Sequence, residues 1–122
     1  MRTLAQKRTE FALNEILAAK TKVDKEKLKP FSAGAPAMIL QNGFGQTLAF
    51  WLAKGKPEHM VLFDILTKWL KQTDVRHFGE CKQPKDYIQK LSTMEQREYL
   101  KNQNETLALL EWVKRFANAD LS

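Results

Sequence analysis

Apolar residues recur at three- and four-residue intervals through nearly all of this 122-residue chain, and no useful length of it alternates apolar and polar with period two. That regularity commits the backbone to helices. Side chains at i, i+3 and i+4 share one face of a helix, whereas a half-buried strand needs alternation. The spacing predicts an all-α fold, a compact single-domain helical bundle of five to seven helices over residues 1–122, since a chain of this size holds one hydrophobic core.

The elements follow from the pattern. A first helix starts near Thr3 and ends near Lys20, with Leu4, Ala5, Phe11, Ala12, Ile16 and Ala19 on its apolar side. Lysines at 20, 22, 25, 27 and 29, followed by Pro30, Gly34 and Pro36, predict a mobile basic connection over about residues 21–35. Pro36 then suits the first turn of a second helix, where its missing N–H costs nothing, and Ala37 to Leu40 supply its buried residues. At Asn42-Gly43 the chain either kinks or uses Gly43 and Gly45 for close packing. Lys54-Gly55-Lys56-Pro57 ends one helix and starts another, which runs to about Gln72. Asp74 to Gln83 reads as a surface loop and Pro84 to Leu91 as a short helix. Ser92 and Glu95 have capping-box spacing for a long last helix ending near Asn118.

Composition narrows the function. Twenty Lys and Arg against fourteen Asp and Glu leave a formal charge of +6, which favours an anionic partner, usually nucleic acid or a membrane surface. No run is apolar enough to span a bilayer, and the first residues turn polar before a secretory core could form, so no membrane is expected and the cytoplasm is the expected location. Cys81 is the single cysteine and cannot form an intramolecular disulfide.

Catalytic and cofactor constellations are sought without success. Gly43-x-Gly45 lacks the third glycine and preceding strand of a dinucleotide loop. His59 and Asp64, five apart, diverge by about 140° on a helix. His77 and Cys81 lie four apart but have no third ligand in the nearby sequence, so no metal and no other cofactor is expected. The chain is not expected to be an enzyme.

The basic residues carry the positive reading. Lys7, Arg8, Lys54, Lys56, Lys114 and Arg115 come from three helices, and clustered in space they would form a phosphate-tracking, nucleic-acid-binding surface. Trp51, Trp69 and Trp112 invite a base-stacking reading, but all three sit on strongly apolar helices, where core packing or a protein interface is favoured. Trp112 points between the buried stripe and the polar ridge of the last helix, where an aromatic residue suits a protein interface.

Three segments carry a family resemblance. The block Pro36-Ala-Met-Ile-Leu-Gln-Asn-Gly-Phe-Gly-Gln-Thr-Leu-Ala-Phe-Trp-Leu-Ala-Lys-Gly55 resembles the signature of the small subunit of the type III-B CRISPR–Cas effector, the Cmr complex. Leu4-Ala5-Gln6-Lys7-Arg8 with Phe11-Ala12 is similar to that family's first helix. Tyr99 and Leu107 to Ala117 are similar to its last, with Trp112-Val113-Lys114-Arg115 in place of the usual Trp-Leu-Lys-Arg. Only the 21–35 and 73–92 connections lie outside the likeness. The resemblance implies a non-catalytic helical subunit whose copies stack alongside the backbone subunits that hold the guide RNA. Target cleavage in that family belongs to the backbone subunit, and nuclease or cyclase activity to the large one. Implied partners are those backbone and large subunits, guide and target RNA, and other copies of the chain. The alternative from the residues alone is a helical adaptor with only protein partners; an RNA-processing enzyme would require His59 or His77.

Overall fold

The computed structural model describes residues 1–119, which form seven helices and no strand. α1 spans Leu4–Ala19, α2 Lys25–Asn42, α3 Phe44–Lys54, α4 Pro57–Thr73, α5 Val75–Phe78, α6 Pro84–Thr93 and α7 Gln96–Asn118. None of them is long and apolar enough to cross a membrane.

Helix starts follow local chemistry. Thr3 Oγ1 accepts from the Gln6 N–H at 3.1 Å while Gln6 Oε1 accepts from the Thr3 N–H at 2.8 Å, so two otherwise free donors of α1 are satisfied reciprocally. Gly55, left-handed at φ 63°, closes α3 by donating to the Trp51 carbonyl at 3.0 Å, and Pro57 opens α4. Asp86 receives the N–H groups of Lys82 and Gln83, each at 2.9 Å, ahead of α6. The capping box expected at Ser92 and Glu95 is absent. Ser92 belongs to α6 and donates to the Gln89 carbonyl at 2.8 Å, and α7 starts after Glu95 without a side-chain cap.

The largest departure from the sequence expectation is α2. Where a mobile connection is expected over 21–35, the helix begins at Lys25, its N-terminus capped by Asp24, whose carboxylate accepts from the Glu26 N–H at 2.9 Å. Pro30 and Pro36 both lie inside it, so Pro36 does not begin a helix. Each proline removes one backbone bond, which weakens an isolated helix. Packing overrides that loss, because Leu28, Ser32, Ala35 and Ile39 recur at helical spacing and are buried, and α2 lies along α7. Leu40, expected inside, is exposed.

Gly43, at φ 92° and ψ 152°, separates α2 from α3. Its N–H donates to Ile39 at 2.9 Å and its carbonyl accepts from Thr47 at 3.0 Å, so one residue ends one helix and starts the next. The loop expected over 74–83 contains α5, and it is anchored: Phe78 and Cys81 are buried.

α7 is the centre of the bundle, contacting α1, α2 and α4. Around it the fully buried Phe44, Trp51, Phe63 and Phe78 join Ile16, Leu48, Leu66, Leu70, Leu109 and Leu110 in one core. Truncating any one of those aromatics to alanine costs about 3–5 kcal/mol.

Candidate nucleic-acid interface

Long-range contacts fix the helix directions. α1 and α7 are parallel: Arg8 meets Glu105 near one end, and Lys20 Nζ donates to the Ala119 carbonyl at 2.7 Å near the other. α4 runs against both, since Glu15 pairs with Lys68 at 2.7 Å, Phe11 packs on Trp69 at 5.0 Å, and Asn102 donates to Asp74 at 3.0 Å. α2 also runs against α7, because the chain just beyond its C-terminus reaches Tyr99, whose hydroxyl oxygen accepts from the Gly45 N–H at 2.8 Å. The last turns of α1 and α7 therefore meet the first turns of α2 and α4.

That end collects cations. Phe31 of α2 packs against Trp51 at 5.3 Å and against His59 at 4.2 Å, which brings the α3–α4 turn with Lys54 and Lys56 beside the start of α2. Lys114 and Arg115 lie in the last turns of α7. Lys22, in the turn before α2, and Lys25 and Lys27, at its start, are exposed and fall at the same end. Of the six basic residues proposed from sequence, Lys54, Lys56, Lys114 and Arg115 share this end. Acids are interspersed there: Asp24, Glu26 and Glu111 are exposed.

Lys7 and Arg8 lie elsewhere, in the first half of α1, and Arg8 is engaged internally. Its Nε and Nη2 donate to the two Glu105 oxygens at 2.7 and 2.9 Å, with both side chains 16% exposed. The hydrogen bond to Glu105 holds the guanidinium above its ordinary pKa, and the fork that phosphate would need is occupied. Sequence spacing cannot reveal such a pairing, since the two residues are 97 apart. The lysines of α2 were legible as a charge run, and the interval Leu28, Ser32, Ala35, Ile39 was the available signal that they belong to a helix.

Two of the three tryptophans lie in the core. Trp51 and Trp69 are buried, and Trp69 Nε1–H donates to Glu105 at 2.9 Å. Trp112 is half-buried, stacked on Phe116 at 5.6 Å with the Arg115 guanidinium carbon 5.2 Å from its ring centroid. Lys54 similarly lies 5.5 Å from the Phe50 ring.

The titratable groups elsewhere have structural work. Burial lowers the His59 pKa, with the Lys56 and Lys54 charges adding to it and Glu58 opposing. Asp74, His77 and Glu98 bring potential ligand atoms within 4.8 Å of one another. Asp74 caps α5 and accepts from the His77 ring at 2.8 Å and from Asn102, so its oxygens are already committed. Cys81 is buried, which pushes its thiol pKa up, and the His77 ring turns to Asp74.

With this geometry in view, comparison with known proteins is informative. The profile of the CRISPR-associated protein family Cas_Cmr5 matches residues 4–120. The protein "CRISPR system Cmr subunit Cmr5" of Thermus thermophilus is 29% identical over 119 residues, covering 98% of this chain and 96% of that protein. A crystal structure of a CRISPR-associated Cmr5 family protein from the same organism superposes with a TM-score of 0.79 at 25% identity, over 100% of both chains.

Proposed function

The chain belongs to the Cas_Cmr5 family and is a subunit of a type III-B CRISPR system; from that premise we propose that it is a non-catalytic, RNA-contacting small subunit. Copies stack beside the backbone subunits in a cytoplasmic ribonucleoprotein, and the basic end of each bundle faces guide or target RNA. The large subunit is a further protein partner, and Trp112 lies in or beside the contact surface. No side chain in this reading performs chemistry.

One observation carries the RNA contact: Lys54, Lys56, Lys114 and Arg115 share one end of the bundle with the lysines at the start of α2. Charges gathered this way bind phosphates without reading bases, which suits a complex whose sequence choice rests on guide–target pairing. Repetition along a filament multiplies weak contacts.

The test is target-RNA binding by assembled effector containing Lys114→Ala/Arg115→Ala. The reading expects weaker binding and a shallower dependence on salt than wild type; unchanged binding and slope remove these residues from the contact.

A further inference from the structure

We propose that Arg115, held over Trp112, forms a stacking shelf for an unpaired nucleobase of single-stranded RNA; this rests on the RNA-contact reading above and assigns it a second ligand element beyond phosphate. Arg8 and Arg115 contrast sharply. Arg8 spends its fork on Glu105, whereas Arg115 is exposed and lies 5.2 Å from the Trp112 centroid. Trp112 in turn stacks on Phe116 at an interplanar angle of 26°, so the ring beneath the guanidinium is itself braced against α7.

Such an arrangement suits a base. A guanidinium plane stacks on nucleobases as it does on aromatic rings, while its edge still donates to phosphate, and lysine offers no plane. Trp112 is also the one tryptophan with surface to offer, since Trp51 is 0% and Trp69 3% exposed. Lys114 is adjacent in sequence, and Lys20, tied to Ala119, lies at the same end of the molecule. Bases within a duplex already stack on each other. The ligand is therefore an unpaired nucleotide, and the contact tolerates any base because every base has a π-face.

The experiment measures binding of full-length protein, at low ionic strength, to a labelled oligouridylate and to an abasic ribose-phosphate oligomer of equal length. Wild type is expected to prefer the base-bearing strand by about fivefold or more, with quenched tryptophan emission, because stacking adds to backbone attraction. Arg115→Lys, an exposed change that keeps the charge, is expected to abolish that preference, read as the ratio of the two affinities so that any change in phosphate attraction cancels. Equal wild-type affinity for the two strands overturns the shelf, as does a preference that survives Arg115→Lys. Failure of wild type to bind either strand overturns the RNA-contact reading itself.

Discussion

Arg8 of α1 and Glu105 of α7 are joined by two nearly parallel hydrogen bonds of 2.7 and 2.9 Å, and Glu105 also receives the Trp69 indole N–H at 2.9 Å. One carboxylate thus ties three helices together. Replacing Glu105 by glutamine keeps its size but leaves the Arg8 charge half-buried without a counter-ion. The expected loss is about 1–3 kcal/mol, read from urea denaturation; a loss near zero would mean that water screens the pair as it does on open surfaces.

His59 makes stability depend on mildly acidic pH. Burial against Phe31, with Lys56 and Lys54 nearby, lowers its pKa below the ordinary 6.5 in spite of Glu58. The unfolded chain therefore binds the proton more readily, and stability falls as pH drops below 6.5 toward the folded pKa. His59→Phe keeps a ring against Phe31 and removes the proton, so its urea midpoint should vary less than wild type between about pH 7 and 5. Parallel profiles would place the acid sensitivity on another group.

The three glycines outside tight side-chain contact should respond to alanine in different directions. Gly43→Ala should destabilise most, by about 1–3 kcal/mol, because φ 92° with ψ 152° is essentially closed to residues with a Cβ. Gly55→Ala, left-handed at φ 63°, should lose about 1 kcal/mol. Gly34 lies inside α2, where an added Cβ meets nothing within 4 Å. Gly34→Ala should therefore gain about 0.5–1 kcal/mol, and thermal melts of the three variants check the order.

Charge position can be separated from charge number. Lys54→Ala/Lys56→Ala and Lys7→Ala/Lys101→Ala each remove two positive charges, the second pair from exposed sites on α1 and the early part of α7. The proposed interface expects only the first pair to lower RNA affinity and to reduce the salt slope by up to about two. Equal losses would show that net charge alone draws the RNA.

Much of the architecture was readable from residue order. Gly55-Lys56-Pro57 marked a helix boundary, and the apolar stripes of α4 and α7 marked buried faces, because these signals are local. α2 was obscured for a physical reason: Pro30 and Pro36 argue against a helix over a few residues, and the burial of Leu28, Ser32, Ala35 and Ile39 that outweighs them comes from α7, distant in the chain. The candidate interface was half legible in the same sense. Lys114 and Arg115 could be picked out as cations on an anchored helix, whereas the internal engagement of Arg8 depends on Glu105, which nothing near Arg8 announces.

The placement of α7 at the heart of the bundle bears on how the molecule comes into being. During translation α1 and α2 leave the ribosome well before α7 exists, and until it arrives α1 has only its smaller contact with α4, and α2 those with α3 and α4. A nascent chain stopped before Gln96 lacks the element that both early helices pack against most, so the core cannot close until α7 has been made. Each new copy becomes able to pack as one body only as α7 is released.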